Sequence, residues 1–266
     1  MTWPGSARSA VALAFDLDGP TGDAMLSGAI WQRPAYFSLG GYGPWRGLDR
    51  ILRLLAERAV PATFFVPAWV VEHWPVQCRR IVEAGHEVGH HGYRHERYWD
   101  LSTSEQRAVI ERSQQIFQRE LGSTAVGFRT PSGDWRPETP DLLSGMGFSY
   151  SSSMRGDDRP YLHPSGLVEI PARSEMDDYA SFAYTRNPDW PSGGSRVASY
   201  PATLDSWIGE FDGYHAEGLC LTTIFHPKVI GTPGRAALLA RWIDHMSDAG
   251  GVWFATCQDV ARWWRR

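Results

Sequence analysis

Near its N-terminus the chain reads Val11-Ala12-Leu13-Ala14-Phe15-Asp16-Leu17-Asp18, an apolar run that ends in two aspartates. A short apolar run followed by turn residues such as Gly19-Pro20 is typical of a buried strand in a parallel sheet. Residues i and i+2 of a strand face the same side, so Asp16 and Asp18 are expected to point into one cavity. This stretch therefore predicts two carboxylates at the C-terminal end of the first strand.

Three more polar clusters follow short apolar runs further along the chain. They are His91-Gly92-Tyr93-Arg94-His95, Arg129-Thr130-Pro131 and His226-Pro227. The C-terminal ends of parallel strands meet at one rim, which is where α/β barrel enzymes carry their catalytic groups. Amphipathic helical patterns alternate with the apolar runs. The alternation predicts an α/β barrel with a parallel sheet and an active site at the C-terminal ends of the strands.

Bulk properties exclude several classes of protein. The 266 residues suit one large α/β domain and contain no linker, so residues 1–266 are predicted to form a single catalytic domain. The net charge of −4 without a basic block argues against nucleic acid or an anionic membrane as partner. No apolar stretch is long enough to span a bilayer. With no visible secretory signal, a cytoplasmic location is expected.

The cysteines and the helix signals add smaller expectations. Three scattered cysteines (Cys78, Cys220 and Cys257) without ligand spacing are expected to be buried and reduced. Ser102-Thr103-Ser104-Glu105 predicts the capping box of a long helix. Residues 19–47 and 186–201 show neither helical nor strand periodicity. They are expected to be irregular loops that act as lids or assembly surfaces, with plain surface insertions as the alternative.

Four of the nine histidines crowd into ten residues, at positions 86, 90, 91 and 95, and such clustering indicates metal binding. One ligand set is the zinc-protease pattern H-E-x-x-H at His86-Glu87-Val88-Gly89-His90. That motif works only on a helix, where i and i+4 share a face. The glycines at positions 85 and 89 disfavour a helix there.

The other ligand set takes residues 87–90 as a strand and uses His91 and His95 from the loop after it. Asp18 then adds an anionic third ligand, although an ordinary turn at Gly19-Pro20 is the alternative role for Asp18. One aspartate and two histidines leave an open position for water, which suits one divalent ion: Zn²⁺ first, with Co²⁺, Ni²⁺ or Mn²⁺ acceptable. Asp16 is then free to take a proton from water.

These clusters, in this order, resemble the motifs of the polysaccharide deacetylase family (carbohydrate esterase family 4). Phe15-Asp16-Leu17-Asp18 stands where the family has T-F-D-D, and residues 91–95 stand for H-(S/T)-x-x-H. Residues 129–133 correspond to R-x-P-x-G, and residues 221–227 to the late L-x-x-H-P. The resemblance implies a distorted (β/α) barrel. It further implies these roles: Asp18, His91 and His95 on the metal, Asp16 as base, Arg129 paired with Asp16, and His226 as acid.

Departures from the family pattern indicate a branch. The aspartates are separated by Leu17, Gly92 replaces Ser or Thr, and the D-x-x-W motif is not recognisable. Glu169-Ile170-Pro171 and Asp177-Asp178 are similar to the branch of cyclic imide hydrolases, cofactor-independent allantoinases and some peptidoglycan deacetylases. That branch tends to be cytosolic and oligomeric, so a homo-oligomer (dimer or tetramer) is expected.

The predicted activity is metal-dependent hydrolysis of an amide-type carbon–nitrogen bond in a small cyclic imide, ureide or amide. Two alternatives remain open: N-deacetylation of a sugar or peptidoglycan, and a non-catalytic barrel that binds carbohydrate. Five further residues are candidates for substrate binding: Asp157, Asp158, Trp135, Tyr42 and Pro131. For the two aspartates, orientation of His226 or a turn before Pro160 are alternative roles, and for the aromatics the alternative is packing.

Overall fold

The computed structural model describes residues 2–26, 28–183 and 197–266. Its strands are β1 (Ser9–Ala12), β2 (Ala14–Asp16), β3 (Thr63–Val66), β4 (Glu87–His90), β5 (Gly127–Phe128), β6 (Tyr150–Ser151), β7 (Tyr161–Leu162), β8 (Val168–Glu169), β9 (Cys220–Thr222) and β10 (Val252–Phe254). Its helices are α1 (Thr21–Leu26), α2 (Pro34–Tyr42), α3 (Leu48–Arg58), α4 (Ala68–His73), α5 (Pro75–Glu83), α6 (Thr103–Leu121), α7 (Thr139–Gly145), α8 (Asp178–Phe182), α9 (Tyr200–Glu217), α10 (Pro233–Asp248) and α11 (Cys257–Trp264).

The strands form two sheets that are almost entirely parallel. The larger has the order β2-β3-β4-β5-β6-β8-β7, in which only β7 runs antiparallel, and the smaller has the order β10-β1-β9. Single parallel bridges join Phe15 to Phe225 and Asp177 to Ile224, beyond the end of β9. The α/β fold with a mostly parallel sheet is confirmed, and its strand order brings the predicted polar clusters to one end.

The first strand is buried on both faces, as its apolar run predicts. All residues of β1 and β2 are buried. Phe15 stacks on Phe64 with 5.1 Å between ring centroids and also packs against Phe225 at 6.1 Å. Burial of each such phenylalanine stabilises the fold by roughly 1.5–3 kcal/mol. A strand held so firmly fixes the positions of the carboxylates at its end.

Several local predictions are confirmed. Ser102 caps α6 in a reciprocal capping box with Glu105, and Gly122, which has a left-handed φ of 79°, caps its C-terminus. Residues 87–90 form a strand, as one of the two ligand sets requires. The three cysteines are buried and free.

The prediction of an irregular loop at residues 19–47 is wrong. This segment contains α1, α2, a 3-10 helix (Gly28–Gln32) and a π-helical turn (Gly43–Gly47). The apolar side chains of α2 are distributed around the helix and do not form one apolar face. Its sequence therefore lacks the helical periodicity that would have predicted it. Of residues 186–201, those at 186–196 lie outside the described residues, and the final two begin α9.

The surface of the 19–47 segment carries three large exposed apolar side chains: Trp31, Leu39 and Trp45. Patches of this kind occur at assembly surfaces. The homo-oligomer nevertheless stays a prediction. Within the described ranges, no helix combines the length and the apolar character needed to cross a membrane.

The π-helical turn is pressed against the backbone next to His226. A Cβ on Gly47 would overlap the carbonyl oxygen of Pro227. We therefore expect Gly47→Ala to lower the free energy of unfolding by about 1–3 kcal/mol, as overpacking does. The measurement is urea denaturation, read as a shift of midpoint at constant m-value.

Gly213→Ala is the matched control, because Gly213 lies in α9 and nothing stands within 4 Å of the position that a Cβ would occupy there. At that position alanine should raise stability by about 0.5–1 kcal/mol through helix propensity. Equal effects of the two substitutions would contradict the close packing at Gly47.

Candidate active site

Asp16 and Asp18 stand at the end of β2, held by neighbouring strands. The Asp16 amide donates to the Phe225 carbonyl at 2.7 Å, and the Leu17 amide donates to the Phe65 carbonyl at 2.9 Å. Both carboxylates are buried and line the same cavity. The spacing of two residues thus places both acids together, as strand geometry predicts.

His91 and His95 lie in a tight loop directly after β4. Gly92 and His95 adopt left-handed φ values of 73° and 64°. For a histidine this conformation is strained, and it persists where the surroundings demand it. Glu96 closes the loop by accepting hydrogen bonds from the amides of Tyr93 at 2.9 Å and Arg94 at 2.8 Å.

Asp18, His91 and His95 form a cluster whose donor atoms lie within 4.8 Å of one another. Asp18 Oδ1 lies 3.6 Å from His91 Nε2, and Asp18 Oδ2 lies 3.9 Å from His95 Nε2. Asp18 Oδ1 is buried and accepts no hydrogen bond from any residue that the structure describes. A buried carboxylate oxygen without a partner is costly, and a cation between the three groups would remove that cost.

The protonation states of the two histidines also fit a metal ion. His91 Nδ1 lies 2.8 Å from the Arg129 carbonyl and donates to it, which leaves the Nε2 lone pair facing Asp18. Burial disfavours the imidazolium and lowers the pKa of His91 and of His95 to about 4. Both imidazoles are therefore neutral donors at neutral pH, and with Asp18 they match an open site for one divalent ion.

Asp16 does not share this role, because it is paired with Arg129. Arg129 Nη1 donates to Asp16 Oδ1 at 2.8 Å, and both side chains are buried. Burial alone would raise the pKa of Asp16, but the charge of Arg129, aided by His91 and His226, holds it below its ordinary value. Asp16 is thus a carboxylate at neutral pH.

Ser152 holds the rest of the Arg129 guanidinium. Arg129 Nε donates to the Ser152 carbonyl at 2.9 Å, and Arg129 Nη2 donates to Ser152 Oγ at 2.8 Å. The ring of Phe65 covers the guanidinium, with 4.3 Å from Cζ to the ring centroid. The orientation of Arg129 is therefore fixed on every side.

His226 stands across the cavity from Asp16 and is held by Asp178. His226 Nδ1 donates to Asp178 Oδ1 at 2.7 Å, and the His226 amide donates to Asp178 Oδ2 at 2.9 Å. Burial would lower the pKa of His226, but Asp178, Asp177 and Asp18 together raise it to about 10. His226 is accordingly an imidazolium at neutral pH, and its Nε2 lies 3.8 Å from Asp18 Oδ2.

One cavity of about 260 Å³ collects the groups predicted to hold the metal or act in catalysis. They are Asp16, Asp18, His91, His95, Arg129 and His226. Further lining comes from residues that the sequence did not single out, among them Asp23, Ser152, Arg155 and Tyr179. The structure thus brings all six predicted groups together.

The residues predicted to bind substrate lie outside this cavity. Exposed Asp157 caps a turn by accepting from the Asp158 and Arg159 amides, at 2.7 and 3.0 Å. Asp158 Oδ1 accepts from the Tyr214 hydroxyl at 2.9 Å. Both aspartates therefore have structural partners, and the carboxylate that orients His226 is Asp178.

The other three candidates also lie outside the cavity lining. Trp135 is buried and stacks on Phe128 with 6.4 Å between ring centroids. Tyr42 accepts a hydrogen bond from Arg50 Nη1 at 2.6 Å, away from the cavity. Pro131 is buried and is not among the lining residues, although the residues on either side of it are.

The zinc-protease interpretation of His86 and His90 is wrong, because they sit on or before a strand. The His86 ring packs on Phe64 with 5.7 Å between centroids. His90 is fully buried and stacks on Phe128 at 5.3 Å. Burial lowers the pKa of His90 to about 3, so it is a neutral core residue.

Comparison with known proteins places the chain in a family. Residues 41–151 match the family model described as polysaccharide deacetylase. A crystal structure from Mycobacterium smegmatis assigned to the same family superposes with a TM-score of 0.94 at 32% identity, covering 100% of this chain and 93% of that one. The chain belongs to the polysaccharide deacetylase family.

Two further proteins that the chain resembles are named for different activities, one as an allantoinase and one as a peptidoglycan deacetylase. The structure of the PuuE allantoinase superposes with a TM-score of 0.83 at 27% identity, covering 99% of this chain and 92% of that chain. The peptidoglycan deacetylase of Helicobacter pylori is 27% identical over an alignment of 280 positions that covers 94% of this chain and 94% of that protein. The protein is thus a hydrolase of carbon–nitrogen bonds other than peptide bonds.

Removal of one imidazole tests the metal cluster. The unmodified protein is expected to hold about one divalent ion per chain, and His91→Ala should lose it, because a two-ligand site binds far more weakly. Elemental analysis after dialysis measures the ion. His86→Ala is the control and should keep its ion; the reverse pattern would restore the zinc-protease ligand set.

The partnership of Asp178 with His226 predicts a pH effect. Asp178→Asn removes the anion that raises the pKa of His226, so the imidazolium should lose its proton at lower pH. The alkaline limb of the kcat/KM profile should then move toward acid by one pH unit or more. Asp212→Asn, which alters the exposed pair with His245, should leave the limb in place; an unmoved limb in Asp178→Asn would show that His226 does not act as an acid.

Proposed function

We propose that the protein hydrolyses an amide-type carbon–nitrogen bond in a small cyclic imide, ureide or amide with the help of one divalent metal ion. The size of the cavity carries this proposal. At about 260 Å³ it falls just under the range of about 300–1,000 Å³ that is common for drug-sized ligands. A five- or six-membered ring fits such a space more readily than several linked sugars.

Asp18, His91 and His95 are the residues that would hold the ion, with Zn²⁺ expected first and Co²⁺, Ni²⁺ or Mn²⁺ also suited to this donor set. When bound there, the ion supplies a Lewis acid that polarises the carbonyl and makes water more acidic. His91 is kept in the required tautomer by the Arg129 carbonyl. The remaining chemistry belongs to Asp16 and His226.

Asp16 serves as the base. Its Oδ1 is occupied by Arg129, whereas its Oδ2 lies 3.8 Å from His91 Nε2 and faces the metal cluster. Oδ2 is therefore the atom that accepts the proton of the attacking water. Arg129 keeps the carboxylate ionised for this step.

His226 serves as the acid. Its Nδ1 is bound by Asp178, so the proton available for transfer is on Nε2, which faces the cavity. Protonation of the departing nitrogen by Nε2 breaks the carbon–nitrogen bond. Asp16 and His226 thus begin in the two charge states that hydrolysis requires.

N-deacetylation of a sugar or of peptidoglycan is the second candidate. The H. pylori relative, which is named a peptidoglycan deacetylase and matches 94% of each chain, favours it. The same base and acid would cleave an N-acetyl group. The non-catalytic carbohydrate-binding alternative loses support, because all six groups are present and face one cavity.

Turnover by metal-loaded protein on a panel of substrates separates the candidates. The panel contains succinimide, allantoin, a linear amide and chito-oligosaccharides of two to five sugars. Turnover of a small ring or amide, with none of the sugars, is the expected result. Deacetylation of the sugars alone would overturn the small-substrate proposal and support the second candidate.

Substitution of Asp16 separates the base from the metal ligands. Asp16→Asn should keep its ion but lose about 10²–10⁴-fold in kcat, since proton transfer alone is removed. Asp157→Asn, at an exposed turn outside the cavity, is the control and should keep full activity. Loss of the ion from Asp16→Asn would show that Asp16, not Asp18, is the aspartate ligand.

A further inference from the structure

Glu169 is a buried carboxylate in β8 that does not line the catalytic cavity. It is fully buried, with 0% of its surface exposed. Its Oε1 accepts hydrogen bonds from the amides of Ser153 at 2.5 Å and Met154 at 2.9 Å, and a longer one from Ser151 Oγ at 3.4 Å. Its Oε2 lies 2.9 Å from His163 Nε2. Within the described residues, Glu169 makes no ion pair with a lysine or arginine.

These contacts fix the chain on both sides of Ser152. Ser151 and Ser153 are its direct neighbours, and the Ser152 amide donates to the Phe128 carbonyl at 2.9 Å. Ser152 receives two of the three side-chain hydrogen bonds of Arg129, through its carbonyl and its hydroxyl. The third goes to Asp16. A continuous path of contacts therefore runs from Glu169 through residues 151–154, called here the 151–154 segment, and through Arg129 to Asp16.

Burial of a carboxylate at this position is energetically unfavourable in itself. Removing its charge from water is unfavourable unless hydrogen bonds offset the loss. An apolar residue would avoid that cost but would leave the Ser153 and Met154 amides without an acceptor. The carboxylate accepts from both amides and so holds the 151–154 segment in a single geometry.

We infer that Glu169 is a positioning residue, which holds the 151–154 segment so that Ser152 aims Arg129 at Asp16. The inference rests on the proposed role of Asp16 as base. Glu169 itself is not among the residues that line the catalytic cavity. Its effect on the reaction passes through Arg129. An effect on kcat that depends on Arg129 distinguishes Glu169 from a residue that only stabilises the fold.

A double-mutant cycle with Glu169→Gln and Arg129→Lys tests this path. Glu169→Gln keeps an oxygen for the Ser153 and Met154 amides but weakens both hydrogen bonds by removing the charge. In the otherwise unmodified protein it should therefore lower kcat about tenfold, with KM and ion content unchanged. In the Arg129→Lys background the same change should cost at most about twofold, because the aimed guanidinium is already gone. Equal losses in both backgrounds would overturn the inference and leave Glu169 with a structural role.

Glu87→Gln is the matched control. Glu87 is another carboxylate inside the fold, and it accepts from the Tyr150 hydroxyl, Thr63 Oγ1 and the Gln258 amide. In the part of the chain that the structure describes, it makes no hydrogen bond to the 151–154 segment. Any effect it has on kcat should be the same in both backgrounds. Coupling of Glu87 to Arg129 as strong as that of Glu169 would also overturn the inference.

A spectroscopic measurement keeps the test independent of turnover. The Arg129 Nε proton, bonded to the Ser152 carbonyl, should give a distinct NMR signal that Glu169→Gln shifts and exposes to faster solvent exchange, whereas Glu87→Gln leaves it in place. An unchanged signal in Glu169→Gln would contradict the path. If no substrate of the panel is turned over, the proposed function fails while this measurement still decides the role of Glu169.

Ser152→Ala covers the case in which Glu169→Gln does not fold. It removes the hydroxyl acceptor of Arg129 Nη2 and leaves the carbonyl. We expect a loss of about threefold or more in kcat that disappears in the Arg129→Lys background. Ser149→Ala removes a hydroxyl that, among the described residues, bonds only to the Val126 carbonyl at 3.1 Å, and it should have no such effect. If Ser152→Ala behaves like Ser149→Ala, the path is wrong.

Discussion

Arg129 joins four strand ends of the sheet, and the catalytic cavity depends on it. Its amide donates to the His90 carbonyl at 2.9 Å, and its own carbonyl accepts from His91 Nδ1 at 2.8 Å. Its guanidinium bonds to Asp16 and Ser152. One buried residue therefore sets the tautomer of His91 through its backbone carbonyl and the charge of Asp16 through its guanidinium. Leaving Asp16 unpaired at this depth would cost several kcal/mol, so the arrangement is held as a unit.

Asp16 and His226 line one small cavity but lie in opposite electrostatic environments, and this difference sets their charge states. A buried carboxylate beside Arg129 has a lowered pKa, while a buried imidazole beside Asp178 has a pKa raised to about 10. Burial opposes the charged form of both groups, and in each case a fixed counter-charge outweighs it. Pairs of groups driven apart in this way define which one accepts a proton and which one donates it.

Much of the site could be predicted because its residues follow strands directly. Asp16, Asp18, His91 and Arg129 each come after an apolar run, and strand geometry alone brings such positions to one rim. Asp178 could not be found in that way, because it is the first residue of α8, a five-residue helix that does not follow an apolar run. The helices of residues 19–47 were missed for a related reason: their glycines and prolines predict turns, yet here they permit close backbone packing. For Asp157 and Asp158 the sequence left a turn before Pro160 open as an alternative to a role in the site, and the structure shows Asp157 in a turn and both residues outside the cavity lining.

The three cysteines have a practical consequence. All are buried, and burial raises the pKa of Cys78 and of Cys220 to about 12 and that of Cys257 further still. Thiolate is the reactive form, so these side chains are inert toward maleimides and mild oxidants while the protein is folded. A cysteine introduced on the surface would then be the one thiol to react. Fluorophores or spin labels can be attached there for distance measurements without first replacing the native thiols.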